Sequence, residues 1–350
     1  MKFSKKLITW YLQNKRRMPW RETTDPYRIW LSEIMLQQTR VAQGLPYYLS
    51  FTEAFPTIFD LAKADEEKVL KLWQGLGYYS RARNLHTTAK YVANELNGVF
   101  PDNYKGLIQL KGVGDYTASA IASICYNEPV PVVDGNVYRV LSRYFNIDTP
   151  INSTAGIKEF KNLAIEIMDK QEPATYNQAI MEFGALQCKP QSPYCIICPV
   201  NDSCEGLKKG NVTTLPIKLK KGKIKKRYFN YLIFSIQGKK TIIKQRTNKG
   251  IWQGLYEFPL VESDKEINLD LIKENPVCLD MIKDLEYELT LYKEEFTVHK
   301  LSHQHLYTRF YILKIDTLPK VTNEQRIIDI DEIQEYPVPV LLGNFIDSFF

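Results

Sequence analysis

Through the first two hundred residues, apolar positions recur every third or fourth residue in stretches broken by glycine and proline, the spacing of amphipathic helices. The clearest start is Asp25–Pro26, an acceptor followed by proline at the first helical position, which opens the apolar-rich run Tyr27 to Arg40. Further helices are predicted near 58–73, 80–97, 104–110, 115–126, 134–145, 154–169 and 175–187. They are divided at Phe55–Pro56, Gly75 and Gly77, Gly98, Gly112 and Gly114, and Glu128–Pro129. Strand-like alternation is missing here, so this half reads as all-α. Beyond Cys204 the period changes. YFNYLIFSIQ, Gly238 and KTIIKQR predict a hairpin rich in β-branched and aromatic residues. KEEFTVHKLSH and HLYTRFYILKI predict two more strands, with helical patches near 267–274 and 330–336. The second half is therefore α+β.

At 350 residues the chain holds two or three folded units. Hydrophobic residues make up 44% and aromatics 12%, enough for packed cores and too many for disorder. No apolar run approaches the roughly 20 residues a bilayer span needs. The basic N-terminus loses its apolar stretch at Gln13 and Asn14, which argues for a cytosolic protein and against a cleaved signal. The net charge of +6 is modest, but it is clustered: residues 207–227 carry eight Lys and one Arg with no acidic residue. Such a tether suits a polyanion, although a merely solvated linker has the same composition.

Four of the six cysteines, Cys188, Cys195, Cys198 and Cys204, are spaced C-x6-C-x2-C-x5-C. In a cytosolic chain this is a metal or cluster site, and the chemistry allows either structural zinc or a 4Fe–4S cluster. Cys125 and Cys278 read as small buried apolar residues. In LKGVGDYTASAIAS, Gly112 and Gly114 precede a helix start, where free N–H groups and close backbone approach can hold a phosphate. Asp134 follows the strip PVPVV and opens the next helix, a position that also fits an ordinary N-cap. Glu33 is flanked at helical spacing by Ile29, Trp30, Leu36 and Gln37. A carboxyl on such a face either has a raised pKa, as a general acid needs, or pairs with Arg21 or Arg28.

WLSEIMLQQTRV, LWQGLGYYSRARNL, LKGVGDYTA, VDGNVYRVLSR and the four-cysteine loop together resemble the adenine glycosylase branch of the endonuclease III, or helix–hairpin–helix, superfamily. The resemblance spans the helical half nearly end to end. It implies an all-α helix–hairpin–helix glycosylase region with a 4Fe–4S loop, followed by an α+β Nudix-like domain. The implied division is a catalytic region over 1–206, a basic linker over 207–228 and a recognition domain over 229–350. Within the first lie a six-helix module at about 25–130 and an iron–sulphur module from 1–24 plus 131–206.

The resemblance further implies a DNA glycosylase that hydrolyses the N-glycosidic bond of adenine mispaired with 8-oxoguanine, and also with guanine, in base excision repair. Glu33 would protonate the adenine ring. Asp134, oriented by Asn136, would stabilise the sugar cation or take up the sugar covalently. Where lyase relatives carry a Schiff-base lysine this chain has Tyr116, which implies a monofunctional enzyme. Gln38 and Tyr78 would intrude near the estranged oxidised guanine, Arg16, Trp20 and Glu182 would line the adenine pocket, and Gly112 and Gly114 would contact DNA. QRTNKGIWQGLYEFP resembles the Nudix-like domain of these enzymes, but the acidic Mg2+-binding box is missing after Gly254. The domain should therefore read a base and leave nucleotides intact. In HKLSHQHL, Ser302 and His303 fit the oxidised-guanine contacts, while Leu301 stands where the family has phenylalanine. A plain polar turn is the alternative there. The implied partner is double-stranded DNA and the implied state a monomer. Three other readings lose ground. An oxidised-pyrimidine glycosylase/lyase is opposed by Tyr116 and by the C-terminal domain, a non-catalytic damage binder by the Glu33–Asp134 pair, and a nucleotide pyrophosphatase by the missing box.

Overall fold

The computed structural model describes residues 2–220, 222, 224–283 and 285–350. The chain forms two compact units, one of residues 1–63 with 84–221 and the other of 64–83 with 222–350.

The first unit is helical. The Pro26–Leu36 helix buries eight of its eleven residues, Glu33 among them, because it is apolar nearly all round. Asp25 caps it by accepting from the Tyr27 backbone N–H at 3.0 Å. The helix ends at Leu36, four residues before the Arg40 the sequence suggested. Two long helices went unpredicted, Phe3–Asn14 and Val41–Ala54, along with the short Glu205–Lys208. The first packs on Pro173–Leu186, and with Gly135–Phe145 and Thr154–Ile167 they close a core of Leu7, Tyr11, Val140, Phe160, Tyr176 and Phe183. The second contains Gly44 and Pro46, which read locally as breaks.

The second unit is built on an eight-stranded sheet among the described residues. Its strands are β1 (Lys225–Ile236), β2 (Lys240–Gln245), β3 (Tyr256–Glu257), β4 (Leu260–Ser263), β5 (Tyr287–Leu291), β6 (Thr297–Lys300), β7 (Gln304–Ile315) and β8 (Gln325–Asp329). β1 and β7 pair in parallel along their full length, from Lys225 opposite Gln304 to Ile236 opposite Ile315. Alternate residues of β1 face opposite layers. Leu232, Phe234 and Ile236 pack with Ile272, Cys278 and Met281 of the helices Leu269–Lys273 and Pro276–Ile282. On the other face Tyr231 stacks with Phe310, which in turn stacks at 4.0 Å on Phe345 of the Val340–Phe349 helix. Burial on both faces explains why β1 reads as a continuous apolar run. The patch near 330–336 is a 3-10 helix over Ile330–Glu335.

The boundaries differ from those implied by resemblance. Ala64–Arg83, expected within the helical half, clusters with the sheet unit. The reason is side-chain chemistry: Tyr256 donates to Glu67 at 3.0 Å, Lys71 Nζ to the Tyr336 carbonyl at 3.2 Å, and the Val338 N–H to Gln74 at 3.2 Å. Strand β1 begins at Lys225, inside the expected linker. The linker itself is partly docked, with the Ile151 N–H bonded to the Ile217 carbonyl and the Leu219 N–H to Asn152 Oδ1. Lys221 and Lys223, part of the same expectation, lie outside the described residues. Among the described residues, no helix is long and apolar enough to cross a membrane.

Candidate active site

Three predicted residues of the helical unit interact within it. Glu33 is 6% exposed, and burial lifts its pKa from 4.5 to about 7. A hydrogen bond from Tyr116 and the Arg21 charge oppose that rise, while the Asp134 charge adds to it. Tyr116 lies at the start of the Asp115–Tyr126 helix, its hydroxyl 3.3 Å from Met181 Sδ. Burial, together with the two carboxylates, pushes the phenol well up. Here the alternative reading of Glu33 as an arginine's partner does not hold. Arg21 is committed to Glu182 at 2.9 Å, and Arg28 lies 3.7 Å from Asp25.

Asp134 does two jobs. One carboxylate oxygen caps the Gly135–Phe145 helix, accepting from the Asn136 and Val137 N–H groups at 2.9 and 2.8 Å. The other accepts from Asn136 Nδ2 at 2.8 Å. The ordinary N-cap therefore exists, and the second oxygen is held besides. Burial still raises the Asp134 pKa against these bonds. Asn136 in turn accepts from Arg139 at 2.9 Å, and Arg139 also reaches the Gly184 and Cys188 carbonyls.

Glu182, 1% exposed, accepts from Arg16 at 2.6 Å and Arg21 at 2.9 Å. Burial alone would raise its pKa, but the two guanidiniums outweigh it and hold the carboxyl near about 2. Trp20 is buried with its ring edge-on to Tyr48 at 5.0 Å. In the hairpin, Gly112 has φ +80°, and a Cβ there would lie 2.8 Å from Asn84 Cβ, so the turn requires glycine. Gly114 has open space where a side chain would be, leaving the helix start accessible.

Gln38 and Tyr78 are both exposed and both left-handed, with φ 56° and 49°. Non-glycine residues so held carry backbone strain of about 1–3 kcal/mol, which collects at functional positions. Tyr78 belongs to the sheet unit, where its hydroxyl is 2.7 Å from Ser302 Oγ. Ser302 and His303 are exposed on the turn joining β6 to β7, closed by the Leu301 N–H to the Gln304 carbonyl at 2.8 Å. The polar-turn alternative thus describes the backbone, with the His303 side chain exposed and the Ser302 hydroxyl shared with Tyr78.

Cys188, Cys195, Cys198 and Cys204 line one pocket with Val140, Phe183 and Val200. Arg143, 2% exposed, braces the loop by donating to the carbonyls of Lys189 at 2.7 Å and Pro190 at 3.0 Å, with Cys188 Sγ 3.5 Å away. Cys278 is buried, as expected, and Cys125 only partly so. The sequence reading missed Arg139, Arg143, Tyr48 and Met181. The two arginines left a trace, since i, i+4 spacing puts both on one face of the Asp134 helix.

A buried acid, a capped and tethered aspartate, a glycine hairpin at a helix start and a cysteine loop define a helix–hairpin–helix base-excision scaffold. The HhH-GPD superfamily of base excision DNA repair proteins matches residues 31–163, and a NUDIX domain matches residues 230–348. The adenine DNA glycosylase of Buchnera aphidicola subsp. Baizongia pistaciae is 36% identical over 329 residues, covering 93% of this chain and 90% of that one. The human adenine DNA glycosylase is 45% identical over 211 residues, covering 58% of this chain and 39% of that one. The chain belongs to the adenine DNA glycosylase family. Among solved structures, a thermostable thymine-DNA glycosylase superposes with TM-score 0.55 at 29% identity, over 59% of this chain and 95% of that one. A non-covalent endonuclease III–DNA complex, at 23% identity, TM-score 0.51 and coverage of 59% and 94%, shares the fold.

Proposed function

We propose that the protein excises adenine mispaired with 8-oxoguanine, and with guanine, by acid-assisted hydrolysis of the N-glycosidic bond. The observation that carries this reading is the buried Glu33 carboxyl, pushed to about 7 beside Asp134. Neutral adenine is a poor leaving group, so its departure requires both a proton and a nearby negative charge. Glu33 supplies the proton to a ring nitrogen. The C1′–N bond then breaks, its electron pair leaves with the base, and positive charge develops on the sugar. Asp134, held by Asn136, faces that charge electrostatically or by transient covalent capture, as the second carboxylate does in glycoside hydrolysis. Water then adds at C1′ and its proton passes to a carboxylate. Tyr116 offers no amine for a Schiff base, so strand scission is not part of the reaction.

Arg16, Trp20 and Glu182 line the adenine pocket, while Gly112 and Gly114 present backbone to a phosphate. Gln38 and Tyr78 intrude near the estranged oxidised guanine. Ser302 and His303 read the oxidised guanine. The four thiols suit a 4Fe–4S cluster, since all four line one pocket and thiolates are the ligands such a group takes. Such a cluster, when bound, orders the loop. The protein acts as a cytoplasmic monomer associated with the nucleoid through DNA. The test is an end-labelled duplex with adenine opposite 8-oxoguanine, guanine or thymine, run with and without alkali. Alkali-dependent cleavage confined to the first two duplexes is expected, and alkali-independent scission would overturn the reading of Tyr116.

A further inference from the structure

The strip Pro129–Val133 leads into Asp134, belongs to no helix or sheet, and has Pro131 and Val132 buried. Such a buried strip leaves main-chain donors and acceptors on both edges that must be satisfied. The Val130 N–H goes to the Glu128 carbonyl at 2.8 Å, and around residue 131 two side chains supply the rest. On one edge, Asn177 behaves as a one-residue strand partner: Nδ2 donates to the Val130 carbonyl at 2.9 Å and Oδ1 accepts from the Val132 N–H at 3.2 Å. These are the two groups that flank residue 131 on the same side of an extended chain. Asn177 is fully buried, and its remaining amide hydrogen goes to Ser123 Oγ at 2.8 Å. On the other edge Pro131 has no N–H to satisfy, and Lys161 Nζ donates to its carbonyl at 3.0 Å. Lys161 also binds Asp115 at 3.0 Å, in the first turn of the hairpin helix.

We infer that Asn177 and Lys161 are positioning residues for adenine excision, clamping both edges of the strip so that Asp134 meets the sugar in register. The inference rests on the reading of Asp134 as the sugar-facing carboxylate. Neither residue touches the reacting atoms in this account. They act through the placement of Asp134, where an error of 1 Å can cost about 10²-fold in rate.

The experiment compares native protein with Asn177→Leu, Lys161→Met, Lys161→Arg and Asp134→Asn. For each, the single-turnover rate of adenine release is measured beside the Kd for a duplex carrying an uncleavable 2′-fluoro-deoxyadenosine. Excision should slow about 10²-fold in Asn177→Leu and about tenfold or more in Lys161→Met, with Kd unchanged within about twofold. Lys161→Arg, which still reaches the Pro131 carbonyl, should recover most of the rate. Should Asn177→Leu fail to fold, the two Lys161 variants decide. Excision by Lys161→Met within twofold of native, or parallel loss of rate and binding, would overturn the clamp. Full activity in Asp134→Asn would instead sink the underlying reading of that residue.

Discussion

Replacing Glu33 with glutamine should strengthen the fold while abolishing the chemistry, and the structure fixes the sign of both effects. Glu33 titrates at about 7 in the folded protein and at its ordinary 4.5 when unfolded. Because its folded pKa is raised, the stability linked to its neutral form is complete below about pH 4.5 and is lost as pH rises toward 7. Raising a carboxyl from 4.5 to about 7, at 1.36 kcal/mol per tenfold change in acidity, costs the native protein about 3 kcal/mol by pH 8. Glutamine keeps the shape and carries no charge, so urea unfolding at pH 8 should find Glu33→Gln more stable by about 3 kcal/mol, with the gap closing to within about 1 kcal/mol near pH 5. Over the same range native excision should fall about tenfold from pH 6 to pH 8, as the protonated fraction drops. The variant should lose about 10²-fold or more at every pH. Equal stability of the two proteins at pH 8, or native excision flat between pH 6 and 8, would refute the assignment of Glu33 as a buried acid.

Tyr116→Phe removes the hydrogen bond that favours ionised Glu33, so the alkaline limb of the excision profile should shift to higher pH; an unchanged limb would show that the bond is not formed in the bound state. Arg143→Met deletes the bonds to the Lys189 and Pro190 carbonyls and should lower the iron and sulphide retained per chain through purification, with little change in helical circular dichroism. Ser302→Ala removes one polar contact at an exposed turn, so the preference for 8-oxoguanine over guanine opposite adenine should fall about fivefold, the worth of one hydrogen bond of ~1 kcal/mol. Rates on the guanine duplex should hold.

How much of this was legible in the sequence depended on whether the signal was local. Glu33 stood out because one carboxyl sat among mostly apolar neighbours at helical spacing, and the cysteines because their spacing is a local property. Gly112 was readable for the same reason, since a left-handed turn demands glycine. The Val41–Ala54 helix was not, because Gly44 and Pro46 contradict the packing that stabilises it. Other features depend on residues far apart in the chain. Arg16 and Arg21 meet Glu182 across more than 150 positions, so no spacing rule foretells that ion cluster. Parallel pairing of β1 with β7, and the attachment of Ala64–Arg83 to the sheet unit, likewise exist only once the chain is folded. Resemblance suggested a role for Tyr78 but not its left-handed backbone, because its neighbour Gly77 masks the turn.

In this mechanism a buried acid and a tethered aspartate together release a flipped adenine. Chromatographic detection of free adenine tests it most directly, in single turnover on a duplex with adenine opposite 8-oxoguanine and on its adenine–thymine counterpart. Stoichiometric adenine from the mispaired duplex alone, lost in both Glu33→Gln and Asp134→Asn proteins that still bind the duplex, is the predicted result. Free adenine released by Glu33→Gln at the native rate would contradict it.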